Sequence, residues 1–201
     1  MDGKGPRQRM LEGAIAYVAE HGLADVSLRT LATALGTSHR MLIHHFGSKQ
    51  ALWIEIVRSV EARQRNLLGE ILPDPNRPLA EAMRAWWKHI SDPALWPNER
   101  LFFEIYGQAL QGRLHTVDLL DGIVDDWLEP ITEVNVSLGV PRVVARAHAR
   151  LGIAVTRGLL LDLLATREVE GVDAAMDAFV DVYTAWLEHV RTAEPQRGAP
   201  G

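Results

Sequence analysis

The chain has 201 residues, 47% of them apolar and none cysteine, which is enough to bury a core in one domain or two small ones and excludes disulfide frameworks, zinc–thiolate clusters and thiol nucleophiles. Its net charge of −5 is unevenly spread: residues 1–65 hold nine Lys/Arg against six Asp/Glu (+3), and the remainder twelve against twenty (−8). A basic end on an acidic body suits a protein of which one part meets polyphosphate, although a chance imbalance between two solvated surfaces gives the same count.

The N-terminus, MDGKGPRQRMLEGAIAYVAEHG, has no continuous apolar stretch after its basic residues and does not read as a secretion signal. The longest apolar region, residues 151–165, is interrupted by Arg157 and Asp162 and falls short of the ~20 residues that span a bilayer. A cytoplasmic protein without membrane attachment is expected.

Apolar residues recur at helical spacing in nearly every segment, and no run alternates with period two, so the predicted class is all-α. The first helix covers about 7–21, with Met10, Leu11, Ala14, Ile15 and Val18 on one face and Gly22 as its stop. Ser27 caps a short helix at about 28–35 that ends at Gly36, Ser38 caps another at about 39–45, and Ser48 caps a long one at about 49–71. None of the three has Glu or Gln three residues after its cap, so simple hydroxyl caps are predicted. The run PDPNRP forces a loop at about 73–78, the expected domain junction. Helices follow at about 79–91, 97–111 and 116–138, the last kinked by Pro130, and then at about 141–166 and 171–192. The stretch LGIAVTRGLLLDLLA is apolar around most of its circumference, and the final helix carries Val182 and Ala185 beside its main stripe. Such helices need cover on two sides, by their own core and by a second subunit.

Between Leu28 and Leu42 the chain reads short helix, glycine turn, short helix, with Ala32, Gly36 and Leu42 spaced as a steep helix crossing requires: a small contact residue, a corner tolerant of left-handed geometry, and an apolar anchor. This is a helix-turn-helix. With Leu42 and Phe46 holding its back, the second helix is free to present Ser38, His39, Arg40, His44 and His45 to a major groove.

The segment SLRTLATALGTSHRMLIHHFGSKQAL, residues 27–52, resembles the TetR-type bacterial transcriptional regulators in its ordered positions Ser38, Leu42, His45, Phe46, Lys49 and Leu52. Elsewhere the likeness is one of length and helical layout. The resemblance implies a DNA-binding domain over residues 1–50, a linking helix at about 49–71 and a dimerisation and effector-binding domain over 51–194; the tail at 195–201 is expected from its own residues to be disordered. It also implies a homodimer on double-stranded operator DNA, formed through the last two long helices, and release by a small molecule. The family usually has Tyr where this chain has Ile43 and an apolar residue where it has Thr37. The phosphate contact made by that Tyr is therefore not carried over; Thr37 offers a hydroxyl and Arg40 a charge instead.

The expected DNA-binding set is Ser27, Arg29, Thr37, Ser38, His39, Arg40, His44, His45 and Lys49. Arg40 fits a bidentate pair with guanine, and Ser38, His39 and His44 reach bases or phosphates. His45 and Lys49 match family positions near the backbone, Ser27 and Arg29 approach phosphate at the start of the second helix, and Lys4, Arg7 and Arg9 form a flexible arm. Each histidine also fits an ordinary surface residue. No metal or cofactor is expected, because the histidine spacings match no metal motif.

Trp87, Phe103, Tyr106 and Trp127 are candidates for an effector pocket between the middle helices, though aromatics at helical spacing equally form core. Arg157, costly in an apolar helix unless paired, calls for a carboxylate partner or an effector. Enzymatic motifs are missing, and Asp125, Asp126 and Glu129 read as the solvated side of a helix rather than a carboxylate pair. The sequence thus predicts a DNA-binding regulator, a repressor relieved by an effector; the rival is an effector-free helical interaction protein without sequence-specific DNA binding.

Overall fold

Three serine hydroxyls set the register of the N-terminal helices. Ser27 Oγ accepts from the Thr30 amide at 3.0 Å, Ser38 Oγ from Met41 at 3.2 Å, and Ser48 Oγ from Ala51 at 3.0 Å. Each satisfies a first-turn donor that has no intrahelical partner. In place of the reciprocal carboxylate, Thr30 supplies a hydroxyl 2.8 Å from Ser27 Oγ.

The computed structural model describes residues 5–22, 26–71, 77–113 and 117–193. The predicted tail at 195–201, Lys4 and most of the predicted loop at 73–78 lie outside the described residues. The α-helices are α1 (Pro6–His21), α2 (Leu28–Ala34), α3 (His39–Phe46), α4 (Lys49–Ile71), α5 (Leu79–Ile90), α6 (Trp96–Leu110), α7 (Asp125–Ser137), α8 (Arg142–Thr166) and α9 (Val169–Ala193). Short 3-10 turns lie at Pro93–Leu95 and Val117–Leu120. No strand occurs among the described residues, and the chain is all-α.

One predicted element is corrected. The helix expected at 116–138 is a 3-10 turn followed by α7, which starts only at Asp125. Gly122 lies between them at φ 76°, a left-handed conformation that interrupts a right-handed helix. The apolar spacing of Val117, Leu120, Val124 and Trp127 runs through both pieces and conceals the break. Pro130 lies within α7.

The chain divides into two compact units. The first comprises residues 1–64 with Asp92–Gly122, and the second Arg65–Ser91 with residues 123–201, so the division falls inside α4. In the first, α1 buries Leu11, Ala14, Ile15 and Val18, α2 buries Leu28, Leu31 and Ala32, and α4 buries Leu52, Trp53, Ile56 and Val57. Leu101, Phe102, Ile105 and Ala109 of α6 are buried in the same unit. Gln64 donates to Glu99 at 2.6 Å, a buried polar tie between α4 and α6.

The second unit buries Ile90, Leu128, Ala145, Ala149, Leu163 and Val180, and polar pairs, mostly outside that core, join its helices. Arg84 of α5 donates to Asp177 and Asp181 of α9, both at 2.7 Å, and Trp87 Nε1 donates to Asp173 at 2.7 Å. Arg142 and Arg146 of α8 pair with Asp125, Glu129 and Glu133 of α7. Tyr183 donates its hydroxyl to buried Asn135 at 2.7 Å, and burial pushes its phenol up to about 12. His148 stacks on Trp186 with ring centroids 3.3 Å apart, and burial lowers its pKa.

Candidate nucleic-acid interface

The corner between α2 and α3 sets the direction in which α3 leaves the turn. Gly36 adopts φ 62°, its amide donates to the Thr33 carbonyl at 3.1 Å, and the Thr37 amide donates to Ala32 at 2.9 Å. This paired closure satisfies the last carbonyls of α2 and turns the chain, which only a residue without Cβ does at little cost. Ser38 then starts α3.

At about 100° per residue, Leu42 and Phe46 share one side of α3. They are 1% and 6% exposed. The opposite side falls on His44, with Arg40 and Met41 on either flank of it, and all three are exposed. Ile43 and His45, between the two sides, are half-buried. From Arg40 to Phe46 the exposure pattern follows the helical geometry, whereas His39, in the first turn, is exposed although it lies on the side of Phe46.

The expected DNA-binding residues occupy distinct places. Ser38, His39, Arg40 and His44 are exposed on or beside α3, and Ser27 and Arg29 are exposed at the start of α2. Thr37 is half-buried in the corner. The oxygens of Ser27 and Ser38 already accept cap bonds; Ser38 keeps a hydroxyl proton to donate, whereas the Ser27 hydroxyl also shares a bond with Thr30. Lys49 begins α4 with its ammonium 5.8 Å from the centre of the buried Trp53 ring. His45 stands apart: its Nε2 is buried without a hydrogen-bond partner, and its ring lies edge-on to His44 and Phe46.

The N-terminal arm needs correction. Arg7 lies within α1, started by Pro6, and its half-exposed side chain is engaged by α3 and α4. Its Nη2 donates to Glu55 at 2.5 Å and its Nε to the His45 carbonyl at 3.3 Å, while the guanidinium lies 5.1 Å from the Phe46 ring centre. Arg9 is also in α1. Sequence reading missed Arg7 as the clamp on the end of α3, since its partners are 38 and 48 residues distant. It also passed over Met41, although a helical wheel centred on His44 includes it.

The candidate effector residues fall in different units. Phe103 and Tyr106 belong to the first, where Phe102 lies 5.1 Å from Phe103 and 5.5 Å from Tyr106 between ring centres. Trp87, Trp127 and Arg157 belong to the second. There Trp87 is buried on Asp173, and Trp127 lies 5.8 Å from both the Trp86 ring centre and the Arg65 guanidinium. Arg157 donates to the Ile123 carbonyl at 2.6 Å, so a backbone oxygen does part of the work expected of a carboxylate. Asp125, Asp126 and Glu129 are exposed and paired with arginines.

No helix among the described residues is long and apolar enough to cross a membrane. Residues 10–56 match the family described as bacterial regulatory proteins, tetR family. The chain is 36% identical over 176 residues to the HTH-type transcriptional repressor AcnR of Corynebacterium glutamicum, covering 85% of this chain and 88% of that one. Its fold is similar to a TetR transcriptional regulator from Legionella pneumophila, with TM-score 0.68 and 16% identity over 91% of this chain and 99% of that one. It is equally similar to a transcriptional regulator from Saccharomonospora viridis in complex with choline, with TM-score 0.67 and 20% identity over 87% and 95%. The helix-turn-helix geometry and a relative aligned along most of both chains lead to one conclusion: the chain belongs to the TetR family and is a DNA-binding regulator of transcription.

Proposed function

We propose that the protein represses transcription in the cytoplasm as a homodimer, each copy laying the outer side of α3 in the major groove of a near-palindromic operator. The observation that carries this reading is the alignment of Arg40 and His44 opposite buried Leu42 and Phe46, which gives α3 a donor-rich face anchored from behind. Residues 1–50 form the DNA head, helix 49–71 the link, and 51–194 the dimerising and effector-responsive part. Arg40 reads guanine; Ser38, His39 and His44 contact bases or phosphates; and Ser27, Arg29, Thr37, His45 and Lys49 serve the backbone side of the contact.

Exposed Val143, Leu151, Leu161 and Val182, at 85, 48, 52 and 71%, support a second copy seated against α8 and α9. The choline held by the Saccharomonospora viridis regulator supports a small-molecule effector, for which Trp87, Trp127 and Arg157 of the second unit are the candidate contacts. An effector of this kind acts by favouring a head separation that misfits the operator.

The test is to map the protected region upstream of the protein's own reading frame and repeat the titration at several salt concentrations. The expected footprint is a near-palindrome with half-sites about one helical turn, ~34 Å, or more apart. Arg40→Ala should lose about 1–3 kcal/mol, concentrated at one base pair in each half. A uniform loss across sequences shows that Arg40 grips only the backbone. No protected duplex, and no salt-dependent binding, overturns the repressor in favour of an effector-free helical interaction protein.

A further inference from the structure

We infer that Met41 is a specificity residue that reads the C5-methyl group of a thymine in each operator half-site. This rests on the proposal that α3 enters the major groove, and goes beyond it by assigning the apolar part of the code.

Met41 lies outside the buried core of the first unit. Met41 is 40% exposed, on a helix whose core side is fully supplied by Leu42 and Phe46. Its backbone amide takes part in the Ser38 cap, but any residue other than proline offers that amide. On the helical wheel Met41 lies about 60° from the outermost residue His44, on the side away from Arg40, so the outer face is guanidinium, imidazole and thioether in sequence. A flexible apolar side chain beside polar ones in water forfeits about 25 cal/mol for each Å² left uncovered, so the site favours a partner that covers it.

The major groove contains one apolar group. Guanine offers two acceptors, cytosine a donor, adenine one of each, and thymine an acceptor beside its C5-methyl. Arg40 and His44 are equipped for the hydrogen-bonding edges, whereas Met41 neither donates nor strongly accepts and leaves those edges unsatisfied. The methyl is the edge it fits. Met41 follows Arg40 directly in sequence, so the thymine should lie within about two base pairs of the guanine that Arg40 contacts, given a rise of ~3.4 Å per step.

Full-length protein is used to enrich binding sites from a random-sequence duplex pool, and each thymine of the enriched site is then replaced singly by deoxyuridine, which removes only the methyl. Wild type should bind about fourfold more weakly after replacement at one thymine per half-site, the effect of one buried methyl-sized group. Met41→Ala should lose that discrimination, and Met41→Leu, which keeps the apolar bulk, should retain it. An unchanged deoxyuridine penalty in Met41→Ala, or no penalty in wild type, overturns the assignment while leaving the operator reading intact. If wild type enriches no duplex, the operator reading fails and this inference with it.

Discussion

Arg7 offers a direct way to separate a scaffold role from a DNA contact. Replacing it with Ala removes three interactions of one guanidinium: the ion pair with Glu55, the bond to the His45 carbonyl at the end of α3, and the stacking over Phe46. The ion pair is half-exposed on the Arg7 side, at 51%, and is therefore in the range of about 0.2–1 kcal/mol. A cation on the last carbonyls of a helix contributes about 0.3–1 kcal/mol, and an exposed cation–π contact about 0.5–1. One group makes all three, so they overlap, and Arg7→Ala should cost about 1–2 kcal/mol in all. Urea unfolding measures this loss. Duplex binding by the same variant should weaken, because the end of α3 loosens, but the slope of log affinity against log salt should stay that of wild type. A phosphate contact predicts the reverse: intact stability and a slope shallower by about 0.9. That outcome would refute the clamp and restore the arm.

Three further substitutions probe the same frame. Gly36→Ala places an L residue at φ 62° with nothing within 4 Å of the new Cβ, so only backbone strain opposes it. That strain of about 1–2 kcal/mol, offset by about 0.4–1 from a stiffer unfolded chain, leaves a net loss of ~0.5–1.5 kcal/mol in urea unfolding, with Gly36→Asn losing less; a loss above ~3 would mean a packing clash instead. Tyr183→Phe strands the buried Asn135 oxygen and should destabilise by about 1–3 kcal/mol, and a neutral result would show that Asn135 finds another donor. Burial holds His148 below its ordinary value of 6.5, so the unfolded chain binds the proton first as pH falls. Its contribution to stability is therefore complete above 6.5 and declines with pH from there down to the folded-state value, a dependence that urea midpoints should show and His148→Phe should flatten.

The helix-turn-helix was legible because everything that defines it is local. Ser27, Ser38 and Ser48 act on amides three residues away, and Gly36 closes its corner within the span from Ala32 to Thr37. Such signals need no knowledge of the rest of the fold. Long-range pairings leave no comparable mark. The partner of Arg157 is the backbone oxygen of Ile123, which no residue type announces, and that of Trp87 is a carboxylate 86 residues later, so the same aromatic spacing served equally for pocket or core. In the stretch from 116 to 138 a local signal was present, Gly122, but apolar residues in step on both sides outweighed it.

The same division has a consequence for function. Leu42 and Phe46 are committed to the core, and the corner and caps are made by backbone groups and hydroxyls, so neither the core anchor nor the caps of α3 use the side chains of Arg40, Met41 or His44. Those three positions can change without disturbing what holds the helix in place. On the proposed operator reading, sequence preference can therefore shift by single substitutions on the outer face at nearly constant stability, whereas a substitution at Arg7 alters how firmly α3 is held and leaves which bases it favours unchanged.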